Sequence, residues 1–194
     1  MDVPIVRSAT EDERQAVLDV ITLAFATDPM ARWAQPNPTK YLSEFRLWAD
    51  ALGGAGLSHG ATLVVNGLEG AAMWLPPGVD PNGERVFELA EAACQGQHLA
   101  DLMAVFEQMI SHHPDEPCWY LPLVGVDPIL QGRGYGALLM RHAVRRCDAD
   151  GVPAYLESSN PRNISLYLRH GFEILGTIQV GDSPMVTPMR RNPR

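Results

Sequence analysis

Trp119-Tyr-Leu-Pro-Leu-Val-Gly-Val126 is an apolar run of strand length, and a glycine loop follows closely, Gln131-Gly-Arg-Gly-Tyr-Gly-Ala137. Behind the loop, Leu139, Met140, Ala143, Val144 and Cys147 recur at helical spacing, with Arg141, Arg145 and Arg146 facing outward. A second strand is predicted over 154–159, and a further helix contains Tyr167. A glycine loop that opens a helix turns unpaired backbone N–H groups and the positive end of the helix dipole toward one point. Gly132, Gly134 and Gly136 lack the side chains that would hold an anion off the backbone, and Arg133 adds a cation beside them. The stretch predicts a phosphate site between a strand and a helix.

Outward from this stretch, the pattern is one of strands and helices mixed in layers. Ile5-Val-Arg7 is a short strand, and Thr10 with Glu13 makes a capping box before the helical stripe Val17, Val20, Ile21, Ala24, Phe25. Asp28-Pro29 ends that helix. A helix is predicted over 39–52, stopped by the glycines at 53–56, and a hairpin over 61–75 turns at Asn66-Gly67. After a proline-rich loop come two helices, the second with apolar residues at 99, 102, 103, 106, 109 and 110. Residues 111–117 read as a loop carrying a solvated His112-His113 pair. Residues 172–180 and 185–189 read as paired strands around Gly181-Asp182. The fold class is α/β (α+β), a mixed layer fold.

Three compounds with phosphate groups suit the loop to different degrees. A nucleoside triphosphate loop needs Lys-Ser or Lys-Thr after the glycines, and neither is present. Gly132-Arg-Gly-Tyr-Gly-Ala137 satisfies the dinucleotide fingerprint, and Glu157 lies about twenty residues on, as that fingerprint asks. However, Asp127-Pro-Ile-Leu-Gln131 separates the strand from the first glycine, and too little chain follows for a doubly wound sheet. A tight turn that merely packs well is the plain alternative; three alternating glycines are more than it requires.

The third compound is coenzyme A. Gln131-Gly-Arg-Gly-Tyr-Gly-Ala137 resembles the Q/R-x-x-G-x-G/A signature of the GCN5-related N-acetyltransferases (GNAT superfamily). The likeness continues in order through the strand, loop, helix, strand and Tyr-bearing helix. It is nearest the puromycin N-acetyltransferase-like members, in Glu116-Pro-Cys-Trp-Tyr-Leu121, Val124-Gly-Val126, Gly151-Val-Pro-Ala-Tyr-Leu-Glu-Ser158, Pro161-Arg-Asn163 and Gly171-Phe172. Ala24-Phe-Ala-Thr-Asp-Pro29 with Trp33 fits as well. The resemblance is strong after Glu116 and loose before it.

It implies one domain over 1–194, with an acceptor side at about 1–115 and an acetyl-CoA-binding core at about 116–194. The implied sheet is mostly antiparallel, splayed at the central strand near Gly125, with helices on both faces. The implied activity is transfer of acetyl from acetyl-CoA to a primary amine by direct attack. Val124, Gly125 and Val126 would pair with the pantetheine arm, and the loop from Gln131 to Ala137 would hold the diphosphate. Asn160, Arg162 and Asn163 would also reach the cofactor; capping alone also explains Asn160. Tyr167, otherwise a core tyrosine, would return a proton to the sulfur. Asp28, Arg32, Trp33 and Trp74 would line the acceptor pocket.

The general base is not given by the pattern. The long strand carries no carboxylate before Asp127, so Glu157, on the neighbouring strand between apolar positions, is the expected base. A non-catalytic acyl-CoA binder, or an enzyme acting on a protein lysine or N-terminus, are the alternatives to a small-molecule acetyltransferase.

Bulk properties agree with a soluble enzyme. The 194 residues are 46% hydrophobic and 20% charged, with no run long enough to span a membrane and no basic-plus-apolar leader at Met1. A net charge of −8 disfavours nucleic acid and suits a cationic acceptor. Cys94, Cys118 and Cys147 have no metal or disulfide spacing, so a reducing cytoplasm, bystander thiols and no metal are expected. The expected state is a monomer or homodimer.

Overall fold

The computed structural model describes residues 4–65 and 67–194. β1 (Val6–Ser8) leads through Thr10, whose N–H donates to the Glu13 carboxylate at 3.0 Å, into α1 (Arg14–Ala24). A helix that periodicity does not predict follows, α2 (Pro29–Ala34). Asp28-Pro29 does not simply stop α1. The proline's fixed φ suits the first helical position, and Asp28 caps the turn by accepting from Met30 and Ala31 N–H at 3.0 Å each.

α3 (Pro38–Gly53) and the short α4 (Ala55–Ser58) precede the hairpin β2 (Leu63–Val65) and β3 (Gly70–Leu75). Asn66 of the expected turn lies outside the described residues; Val65 pairs with Gly70, and Leu68 takes a positive φ of 76°. α5 (Gly83–Ala93) and α6 (Gly96–His112) then lead to β4 (Trp119–Val126), α7 (Tyr135–Asp150), β5 (Ala154–Ser158), α8 (Ile164–Arg169), β6 (Glu173–Ile174) and β7 (Thr187–Arg191). The long paired strands expected after Phe172 shrink to β6, β7 and a single bridge between Ile178 and Val186. Gly176, with no side chain to pack on a sheet, falls between the two pieces.

The strands form one sheet in the order β1-β2-β3-β4-β5-β7-β6, and only β4 and β5 run parallel. Side chains alternate across it, as a pleat requires, except at the irregularity of β4 around Pro122, where Leu121 and Leu123 fall on opposite faces. Ala71, Met73 and Leu123 point to a layer made by α1, α3, α5 and α6. Ala72, Trp74, Leu121 and Leu156 point to the opposite layer, where the stripe Leu139, Met140, Ala143, Val144 and Cys147 of α7 covers them. Arg191, 4% exposed, bonds Asp148 through both terminal nitrogens (2.7 and 2.8 Å) and His170 O through Nε, tying β7 to this second layer.

The sheet is split in its middle. β4 pairs with β5 only over Trp119–Leu121, against Ala154–Leu156. Beyond that, β4 stays with β3 as far as Val126, while β5 follows β7. The parting begins at Pro122, ahead of the expected Gly125. Pro122 has no N–H for a ladder, and it sits where the β3–β4 register slips between Met73 and Leu75.

Gly125 has a different task. A Cβ there would lie 2.5 Å from Ala24 Cβ, so its absence lets α1 rest on the strand. Gly125→Ala is therefore expected to lower stability by about 1–3 kcal/mol, the usual cost of an extra methyl in a filled core. The readout is a lower urea midpoint with an unchanged slope.

Candidate active site

The split creates a groove of about 530 Å³ on one side and a pocket of about 110 Å³ on the other, and Phe25 and Asp28 line both. Along the groove, the edge of β4 from Leu123 to Val126 has no strand partner on the β5 side. At its end, Gly132 and Gly134 take φ of 77° and 86°, a left-handed conformation that costs most side chains about 1–2 kcal/mol. Leu138 N–H makes the first bond of α7, to Gly134 O at 3.0 Å. The N–H groups of Tyr135, Gly136 and Ala137 thus precede the helical ladder, beside the groove they line. Gln131 Nε2 ties the loop back to Val126 O at 3.2 Å. This cradle suits a diphosphate, and the unpaired strand edge suits an extended chain bearing amides.

Every residue expected to hold the cofactor lines the groove except Arg133, which is exposed beside it. Its cations are Arg162 and Arg169. Arg169 carries no sequence signal beyond lying near Tyr167 on α8. Asn160 uses Oδ1 to cap the turn at Arg162 N (3.1 Å), which leaves its NH2 for a ligand. Tyr167 is 5% exposed, its ring edge-on to Phe172 at 6.1 Å. Burial, reinforced by the Asp28 charge, holds its phenol protonated well above the usual tyrosine range.

The pocket is walled by apolar side chains of α2, α3 and α6, among them Phe45, Trp48, Leu102 and Phe106. Two carboxyls reach it. Asp28, 6% exposed, is pushed upward by burial but accepts from Met30 N, Ala31 N and Ser159 Oγ (2.7 Å), which favours its ionised form. Glu157 lies beyond the last β4–β5 pair, on the face that carries Tyr120 and Tyr155. Burial pushes its carboxyl up to about 7, against the opposing pull of the Tyr120 and Tyr155 hydroxyls.

Comparison with known proteins agrees with this geometry. Residues 88–172 match the acetyltransferase (GNAT) family model. The whole chain superposes on a Corynebacterium glutamicum histone acetyltransferase and related acetyltransferase at a TM-score of 0.70, with 26% identity over 100% of this chain and 98% of the other. The match to the GNAT family thus covers residues 88–172, and the whole chain shares the acetyltransferase fold.

Shorter matches join it to an uncharacterized N-acetyltransferase of Schizosaccharomyces pombe, 43% identical over 30% of this chain and 24% of that one. A mycothiol acetyltransferase of Mycolicibacterium gilvum is 41% identical over 28% and 21%. The chain thus spans about a quarter or less of the length of these two relatives. A Drosophila melanogaster polyamine N-acetyltransferase shares the fold at a TM-score of 0.72, with 15% identity over 98% of this chain and 100% of that one.

Within this GNAT fold, three of the four expected acceptor residues lie elsewhere. Trp74, 1% exposed, is on the α7 face of the sheet in a cluster with Trp119, because the pleat turns it away from its neighbours Met73 and Leu75. Trp33 faces a separate surface cleft, where its ring packs at a tilt against His98, centroids 4.5 Å apart, and donates to Asp182 Oδ1 at 3.1 Å. Arg32 bonds Pro36 O at 2.9 Å and covers the Tyr41 ring. Only Asp28 reaches the pocket. His113, expected in solvent, packs edge-on against Tyr120 and Tyr155 at 5.1 and 4.9 Å. The three cysteines are buried, and burial pushes the Cys118 thiol up to about 11, so none is poised as a nucleophile. Among the described residues, no helix is long and apolar enough to cross a membrane.

The Glu157 carboxyl makes stability depend on pH. It titrates at about 7 when folded and near 4.5 when free, so between these values the folded protein keeps a proton that the unfolded chain has released. Stability from this group therefore falls as pH rises from about 4.5 to about 7, by at most roughly 3 kcal/mol. Urea denaturation across that window should show Glu157→Gln gaining on the parent protein as pH rises. A difference that stays constant with pH would contradict the assignment.

Proposed function

We propose that the protein is an N-acetyltransferase that moves acetyl from acetyl-CoA to a primary amine of a small molecule by direct attack. The observation that carries this reading is the split sheet, which joins a diphosphate-sized cradle to an acid-floored apolar pocket at Phe25 and Asp28. Residues 1–194 act in it as one domain, the part before about 116 shaping the acceptor side. The working unit is a monomer or homodimer in the cytoplasm, needing neither nucleic acid nor membrane.

Acetyl-CoA supplies an acyl group activated as a thioester. The backbone N–H groups at the start of α7, with Arg162 and Arg169, hold the diphosphate. The free edge of Val124 to Val126 takes the pantetheine amides as an added strand would, and the N–H of Val126 or a neighbour polarises the thioester oxygen. Glu157, titrating near neutrality, takes a proton from the acceptor's ammonium, directly or through water, which frees the amine lone pair to attack the thioester carbon. Asp28, whose carboxylate form is favoured by the three hydrogen bonds it accepts, faces the cation. Tyr167, held protonated, gives its proton to the departing sulfur. The pocket is smaller than the ~300–1,000 Å³ of drug-sized ligand sites, which favours a small amine over a peptide lysine.

Calorimetry with CoA and thiol release in the presence of an amine panel test the reading together. Tyr167→Phe should lower kcat roughly 100-fold while CoA affinity stays within about twofold. Folded protein that takes up no CoA would overturn the proposal, and CoA uptake without amine-dependent release would leave an acyl-CoA binder. The value of kcat/KM should climb with pH through about 7 as Glu157 ionises. Glu157→Gln should be slower by roughly 100-fold or more and lose that rise.

A further inference from the structure

We infer that His170 is a positioning residue, whose imidazole clasps the helix bearing Tyr167 to the start of α7. The clasp sets where the proton donor stands relative to the cofactor's sulfur. This rests on the groove's being the acetyl-CoA site. α8 brings Leu166, Tyr167 and Arg169 to that groove. It is only six residues long, too short to keep its own shape and direction without outside ties.

The ties at its C-terminal end converge on His170, the cap residue. Its N–H donates to Tyr167 O at 2.9 Å, closing the turn behind the tyrosine. Its carbonyl accepts from Arg191 Nε at 2.9 Å, and Arg191 is paired with Asp148, far along α7. The ring reaches the other end of α7. Nε2 meets Ala137 O at 3.2 Å, and Nδ1 meets Leu166 O at 2.8 Å. Among the described residues, the contact with Ala137 is the one hydrogen bond that joins α8 or its cap directly to α7. The helices also touch there, since a Cβ on Gly136 would lie 3.5 Å from Leu166 Cδ2.

Ala137 and Leu166 line the groove, whereas His170 does not. The imidazole therefore stands behind the site and acts on it through two backbone carbonyls. Carbonyl oxygens only accept, so each contact asks a proton of the ring. A neutral imidazole has one proton for the two, and a doubly protonated one has one for each. Bonding Leu166 O alone would only tidy a turn of α8; bonding Ala137 O holds the phenol of Tyr167 and the free N–H groups of α7 on one frame. With that bond broken a short helix can tilt, and a shift of about 1 Å at a reacting group can cost about 100-fold in rate.

Two amide variants separate the contacts. Glutamine carries its NH2 near the position of the histidine Nε2 and can bond Ala137 O. Asparagine carries its NH2 near Nδ1 and can bond only Leu166 O. Thiol release from acetyl-CoA with the best amine of the panel is measured beside CoA calorimetry and urea midpoints. His170→Leu and His170→Asn should each lose roughly tenfold in kcat, with the KM for the amine held within about twofold. His170→Gln should restore most of that loss. Nitrogen NMR of the unaltered protein with CoA bound, which depends on no variant's folding, should find the ring protonated at Nε2.

Equal kinetics in the two amide variants, asparagine outperforming glutamine, or a ring bare at Nε2 would each overturn the inference and leave the transferase reading standing. If the unaltered protein binds CoA but no amine draws thiol from acetyl-CoA, the transferase reading fails. The clasp is then judged on CoA affinity, which His170→Asn should weaken and His170→Gln should keep. No CoA uptake by the folded, unaltered protein would end both.

Discussion

The parting of β4 from β5 at Pro122 is the constraint on which the rest of the structure depends. A sheet normally satisfies the backbone groups of its inner strands by pairing them, and an unpaired inner edge is costly away from water. Here the chain keeps three rungs of parallel ladder, then lets the strands diverge. Pro122 makes the loss smaller, since it has no N–H to leave unmatched. Three features follow from that one opening. The β4 edge becomes available to an extended ligand, the two faces of the sheet are put in communication, and Glu157 emerges where β4 no longer covers it. Filling the opening with regular ladder would remove all three together.

The charge distribution follows the same division. Two arginines, Arg162 and Arg169, and the start of α7 lie on the groove side, Glu157 lies on the pocket side, and Asp28 lines both. An anionic donor and a cationic acceptor would then approach from opposite sides of the opening. The two acids differ because their neighbours differ. Asp28 receives hydrogen bonds from two backbone N–H groups and Ser159, which oppose, without cancelling, the upward push of its burial. Glu157 faces the Tyr120 and Tyr155 hydroxyls, and burial carries its carboxyl up to about 7. Environments that separate two carboxyls in this way separate their tasks, one to hold charge and one to exchange protons.

Much of this was legible in the sequence, and the boundary has a physical basis. β4, the glycine loop and the α7 stripe are specified by neighbours in the chain, so Val124 to Ala137 fall where the pattern places them. The hidden parts depend on distant contacts. α2 is too short for a periodic signal, and only its cap and proline announce it. Trp74 reads as an aromatic wall, but its side depends on the pleat register, and one residue either way reverses the answer. Arg133 belongs to the loop in sequence, whereas Arg169 approaches through the packing of α8 on α7, where His170 bonds Ala137 O. Sequence proximity was the wrong guide there.

The same reasoning bears on where acceptor preference resides. Apolar walls discriminate weakly, because one methylene more or less changes binding by only about 1–3 kcal/mol and aromatic cavities repack. A buried polar atom discriminates more sharply, since a ligand that fails to bond it leaves it unsatisfied. In the proposed reading Phe45, Leu102 and Phe106 would set the girth of the acceptor, and the buried carboxyls of Asp28 and Glu157 the position of its amine. Phe45, Leu102 and Phe106 lie outside every stretch that carries the family resemblance, whereas Asp28 and Glu157 fall within it, so the resemblance bears on the acids and not on the apolar wall.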